Sequence, residues 1–175
     1  GDCIFPPRTE ELKLELKEVE SGLFALPNDK SKFLLQTEVI FSTKLAHKRN
    51  KTIAHHIILF PDFDSIYKMH NLMKKWGMKN TIGRPFITSD SQDELENQLF
   101  EISNIHPLIE IIPAHVMTPD GIFGSKNDLN ELIEFYGEFL PKIKAIETGL
   151  SADPQMLERI QDLSNLTFIS NSDCH

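Results

Sequence analysis

Ionisable side chains sit inside, or directly after, apolar runs of strand length in this chain, and that pattern narrows its possible folds more than any other. Glu38 interrupts the run 33–41, His55 and His56 lie within 52–60, and His115 ends 108–115. Glu147 lies near the end of 143–149, and Asp173 and His175 follow 166–170. Runs that are apolar on both faces read as buried strands, where an unpaired charge is costly. Several such groups on separate strands therefore suggest a shared task. Asp173 and His175 stand two residues apart, so in extended backbone they point the same way. At the C-terminal end of a strand in a parallel barrel, that direction is where the chemistry is carried. Carboxylates and imidazoles gathered there have the composition of a multi-metal site that clamps a phosphate and activates water.

Each of these residues also has a plainer reading. Glu38 could pair with a lysine at a strand edge, His115 could cap a loop, and Glu147 could orient loop backbone groups. Neighbouring strand residues face opposite sides, so at most one of His55 and His56 faces the site. His70 and His106 read as surface or packing residues. The basic stretch 44–51, with Lys44, His47, Lys48, Arg49 and Lys51, is either a solvated turn or a contact for phosphate backbone.

Taken in order, the chain alternates strands and helices. Pro6-Pro7 opens a helix that the apolar spacing carries through Glu20, stopped by Gly22. Strands follow over 33–41 and 52–60, then a helix over 65–76 and a loop over 80–89. Ser91 with Glu94 forms a capping box for the next helix. A strand over 108–115, a helix from 127 or 128 through 139 and a strand over 143–149 come next, then a helix over 155–163 and the strand 166–170. This alternation predicts an α/β fold with a parallel sheet covered by helices.

At 175 residues the chain is long enough for one domain with a sizeable core. No apolar run reaches the length of a membrane span, and no segment reads as a signal peptide. The two cysteines, Cys3 and Cys174, give no disulfide framework, which fits a reduced, cytoplasmic setting. A net charge of −8 weighs against a nucleic-acid binder held by phosphate contacts alone. Metal-dependent nucleases escape that argument, since bound cations face the phosphate.

Several motifs together resemble the polymerase and histidinol phosphatase (PHP) superfamily, and within it the endonuclease Q family. They are Gly1-Asp2, Gln36-Thr37-Glu38-Val39, His55-His56-Ile57-Ile58-Leu59, Gly83-Arg84-Pro85, Pro113-Ala114-His115 with Thr118-Pro119, Phe123-Gly124-Ser125-Lys126, Glu147-Thr148-Gly149-Leu150-Ser151 with Asp153-Pro154, and Ser170-Asn171-Ser172-Asp173 before His175. The resemblance implies a distorted (β/α)7 barrel of PHP type. It also implies two or three divalent metal ions, zinc, manganese or magnesium. The family's ligand pattern falls on Asp2, Glu38, His56, His115, Asp173 and His175. His56 is taken rather than His55 because the superfamily's histidine precedes an apolar run of this kind. Glu38, His115 and Asp173 would be catalytic, and Arg84 and Lys126 would contact phosphate or DNA.

The implied activity is cleavage of DNA on the 5′ side of a deaminated base or an abasic site, with damaged DNA as partner of the full-length protein and no membrane involved. The alternatives are a PHP-type phosphatase acting on a small phosphorylated metabolite and a truncated, non-catalytic barrel. The family's opening His-x-His strand does not occur in the sequence. Residues 1–175 therefore read as a partial PHP domain, incomplete at both ends.

Overall fold

The computed structural model describes residues 2–81, 84–149, 152–158, 160 and 163–171. Asp173 and His175, the closing pair of the sequence argument, lie outside the described residues.

Helix α1 (Pro6–Glu15) begins on Pro6 and Pro7, which need no partner for their missing N–H at a helix start. It ends earlier than the apolar spacing predicts. Lys17–Glu20 is strand β1, paired antiparallel with β2 (Leu23–Ala25). The turn between them passes through Gly22 at φ +75°, where a side chain would be strained. The leucine and valine spacing therefore mimics a helix that the turn breaks.

Strands β3 (Leu35–Thr43) and β4 (Thr52–Phe60) form the longest pairing, antiparallel, with Glu38 opposite Ile57 and Ile40 opposite His55. A parallel pairing needs a crossover of a dozen or more residues. The connection 44–51 is too short for one, so the expected parallel arrangement fails at this point. Helix α2 (Phe63–Lys75) follows, capped by the Asp62 carboxylate accepting from the Ser65 N–H. Within the stretch expected as a loop, β5 (Phe86–Thr88) pairs parallel with β3. Helix α3 (Gln92–Ser103) starts at the predicted cap, where Ser91 Oγ accepts from the Glu94 N–H at 3.2 Å.

Strand β6 (Glu110–Pro113) pairs antiparallel with β4, completing a sheet ordered β5-β3-β4-β6 in which β4 alone runs against the others. The helix expected from 127 or 128 begins later, as a short α4 (Ile133–Tyr136) running into a 3-10 helix over Gly137–Lys142. Strand β7 (Ala145–Glu147), helix α5 (Pro154–Leu157) and strand β8 (Thr167–Ile169) follow, with β7 and β8 parallel.

The fold is thus mixed α/β. Its described strands make one four-stranded sheet and two two-stranded ones, and no closed barrel forms among the described residues. No described helix is long and apolar enough to cross a membrane.

The two faces of the main sheet differ. Val39, Phe41, Ile58 and Phe60 point into the large core, with Ile66 and Met69 of α2, Leu95 and Leu99 of α3, and Phe135 and Tyr136 of α4. Burying each such side chain stabilises by about 1.5–3 kcal/mol. The other face carries a small cluster, Ile57, Ile112 and Ala114, and on it lie Glu38 and His55.

Candidate metal centre

The centre is built by strand parity. Paired residues of an antiparallel ladder share a face, and residues two apart along a strand do too. Ile40 faces His55, so Glu38, Ile40, His55 and Ile57 lie on one side, and Val39 and His56 on the other. His55 Nδ1 meets Glu38 Oε1 at 2.5 Å. His115, just past the end of β6, brings Nε2 to 3.8 Å from the same oxygen. The rings of His55 and His115 lie 5.0 Å apart in an edge-on arrangement. Arg84 reaches the other carboxylate oxygen, Oε2, at 3.5 Å. Only 10% of the Glu38 side chain is exposed.

Burial pushes the Glu38 carboxyl up, but His115, His55 and the Arg84 guanidinium override it. They hold the group well below the usual carboxylate range. It is therefore ionised at neutral pH.

One ligand atom from each of Glu38, His55 and His115 falls within 4.8 Å of the others. One hard oxygen and two borderline nitrogens at this spacing could hold a divalent metal ion. The donor chemistry fits such an ion, because an ionised carboxylate with little access to water needs a cationic partner.

His115 is held in an unusual posture. Its φ is +31°, a region that non-glycine residues seldom occupy. Its N–H donates to Glu147 Oε2 at 2.9 Å, and the Val116 N–H donates to the Glu147 carbonyl at 3.1 Å. The carbonyl of His115 accepts from the Thr118 N–H at 2.9 Å. Glu147, fully enclosed at the end of β7, thus orients loop backbone, the plainer of its two readings. Gly149, at φ +68°, completes the fit, since a Cβ there would lie 2.8 Å from His115 Cβ. Gly149→Ala should therefore cost about 1–3 kcal/mol. Denaturant titration checks this, and an unchanged midpoint would contradict the packing described.

His56 lies on the opposite face of the sheet from Glu38 and His55, outside the described three-residue group. Its Nδ1 lies 3.1 Å from the Ala54 carbonyl, which can only accept, so Nδ1 carries the proton. Nε2 then accepts from the Tyr136 hydroxyl at 2.6 Å. The ring stacks on Phe135 and meets Phe41 and Tyr136 edge-on. Burial, only partly offset by the Ala54 carbonyl, lowers its pKa from 6.5 to about 3.

In the unfolded chain this imidazole protonates near its ordinary value, so unfolding between pH 6.5 and 3 takes up a proton. Stability should then fall on acidification through that window, by up to about 1.4 kcal/mol per pH unit. Depression of the Glu38 pKa adds a loss of the same sign once the pH drops below its ordinary 4.5. Denaturant titrations at pH 7, 5.5 and 4.5 check this, and a flat profile would contradict it.

The remaining candidates divide. Asp2 stands outside the three-residue group. It lies at φ +57° on a turn anchored to β3 through the Cys3 N–H and Gln36 carbonyl. Arg84 is at the centre. Lys126 sits on the loop after β6, where it pairs with Asp120 at 2.6 Å.

In the basic stretch, Lys48 bonds Asp128, Lys51 pairs with Asp90 and His47 with Glu134. These contacts tie the β3–β4 connection to neighbouring loops and to α4. His70 bonds the Ile4 carbonyl at 2.6 Å, a packing role. Missed from the sequence were His55 as the inward histidine and Thr118 beside His115. The signal for His55 was the β3–β4 register.

No known family's sequence model matches the chain. An uncharacterized protein of Bacillus subtilis (strain 168), YqxK, is 36% identical over 64 residues, 37% of this chain and 16% of that protein. Two solved structures resemble the whole chain. The lesion-specific endonuclease PfuEndoQ from Pyrococcus furiosus has a TM-score of 0.77 at 28% identity, over 100% of this chain and 39% of its own. Endonuclease Q in complex with a 27-mer duplex substrate, with an abasic lesion at the active site, has a TM-score of 0.76 at 28% identity and the same coverage. The chain spans about two fifths of the length of these endonucleases.

Proposed function

We propose that this chain, which fits the endonuclease Q family with a PHP-like fold, is part of the catalytic domain of a metal-dependent endonuclease. The enzyme would cut DNA on the 5′ side of a deaminated base or an abasic site. The observation that carries the reading is the meeting of Glu38, His55 and His115 at one point, in a chain that matches lesion-specific endonucleases from end to end.

On this reading, residues 1–175 belong to a phosphoesterase domain whose strands close into a distorted (β/α)7 barrel in the full-length protein. Glu38, His55 and His115 hold a zinc, manganese or magnesium ion, with Asp2, Asp173 and His175 as further ligands for a second or third. Such metals supply Lewis-acid polarisation of a phosphodiester and a water acidic enough to attack it. Glu38 brings the negative charge, and Arg84 orients it by engaging Oε2. Arg84 and Lys126 also contact the DNA backbone, and the damaged nucleotide leaves the stack to reach the centre.

The test uses the full-length protein with manganese. Its substrates are a duplex containing deoxyuridine or an abasic site, an undamaged duplex and a small phosphoester. Cutting confined to the lesion is expected. Phosphate release from the ester without DNA cutting would replace this reading with a phosphatase. Silence on every substrate with metal bound would make the domain non-catalytic.

A further inference from the structure

Thr118 makes two contacts with His115 that together decide where the imidazole proton sits. Its hydroxyl donates to the His115 carbonyl at 2.9 Å, and the same oxygen lies 2.6 Å from His115 Nδ1. A hydroxyl has one proton to give. The carbonyl has none, so the Oγ1–carbonyl contact uses the hydroxyl proton, and Nδ1 must bring its own. The reverse assignment, with the hydroxyl donating to Nδ1, leaves Oγ1 and the carbonyl oxygen as two bare acceptors at 2.9 Å. Two acceptors at that separation repel.

The backbone around the pair is fixed. The Thr118 N–H also donates to the His115 carbonyl, the Gly121 N–H donates to the Thr118 carbonyl, and Glu147 holds the His115 N–H. Hence the backbone that carries Thr118 cannot move away from His115 without breaking the turn that gives His115 its left-handed conformation.

We propose that Thr118 is a positioning residue that keeps the proton on His115 Nδ1, so that Nε2, the nitrogen facing Glu38, is the one that takes a metal ion. A nitrogen binds a metal only through an unprotonated lone pair, and a hydrogen bond at the other ring nitrogen both selects it and raises its basicity. The inference rests on the metal-centre reading above and adds to it the residue that prepares one ligand. Glu147 acts alongside Thr118, on the backbone of His115 rather than on its ring.

The experiment uses the full-length protein labelled with 15N-histidine, freed of metal by a chelator, with Thr118→Val and Thr118→Ser variants. Long-range proton–nitrogen correlation reads the ring, and His115→Gln assigns its signals. Wild-type His115 should show a proton on Nδ1. Thr118→Val should move the ring toward the Nε2–H form that free imidazole side chains favour, and should weaken Mn2+ binding about 10- to 100-fold. Thr118→Ser keeps the hydroxyl and should restore both.

A wild-type ring with no proton on Nδ1 would overturn the proposal. So would a Thr118→Val variant whose ring signature and Mn2+ affinity stay within about twofold of wild type, a change below the cost of losing an outer-shell partner. If Thr118→Val does not fold, the wild-type and Thr118→Ser rings decide. A wild type with a proton on Nδ1 and bound Mn2+ that cuts no lesion DNA would sink the nuclease reading and leave this one standing.

Discussion

Glu38→Gln in the full-length protein is expected to weaken divalent-metal binding at this centre by at least about 100-fold, and to remove lesion-dependent cleavage with it. The floor follows from outer-shell losses, which alone cost about 10- to 100-fold in affinity. The substitution keeps the side chain's shape and deletes its charge. Glu38 is the one carboxylate of the described cluster, and its ionised form is held by His115, His55 and Arg84 from three directions. Glutamine in its place confronts those groups with a neutral amide. Competition against a fluorescent chelator reads the metal, and a lesion-bearing duplex reads the cleavage. Affinity and cutting within threefold of wild type would mean that Glu38 serves the fold alone.

The second large effect separates the two adjacent histidines. His55→Ala should abolish metal binding and cleavage while lowering the melting temperature less than His56→Ala does, because His115 and Arg84 still face the Glu38 carboxylate. His56→Ala should do the opposite. It empties a fully buried site among Phe41, Phe135 and Tyr136, and leaves the Tyr136 hydroxyl without its acceptor. A cavity plus an orphaned polar group costs about 2–4 kcal/mol, or about 5–15 °C for a chain of this size. The protein that still folds should bind metal and cut. A pair of variants behaving the other way round would restore His56 to the centre and refute the sheet register.

That pair also shows what the sequence could and could not reveal. Apolar runs interrupted by Glu38, His55, His56 and His115 are visible directly, and so is the rule that only one of two neighbouring strand residues faces the site. Which one it is depends on the register of β3 against β4. The register depends on the connection 44–51, which is longer than the short hairpin turns whose chemistry fixes strand pairing. Shifting the pairing by a single residue would have turned His56 inward.

The β1–β2 hairpin was hidden for a related reason, because Leu16, Val19 and Leu23 imitate a helical stripe that Gly22 breaks. The late start of α4 has a cause in side-chain bonding. Asn127 holds the backbone of Ile53 and Gly121 through its amide, and so keeps that stretch in a loop. By contrast, the cap at Ser91 was local enough to read from adjacent residues.

The most direct test of the account is an anomalous-difference map at the manganese edge from crystals of the full-length protein soaked in Mn2+. The account predicts a peak about 2.0–2.3 Å from one atom each of Glu38, His55 and His115, with His56 away from it against Tyr136. An empty map at that point, or a peak whose ligands leave out those three residues, would contradict it.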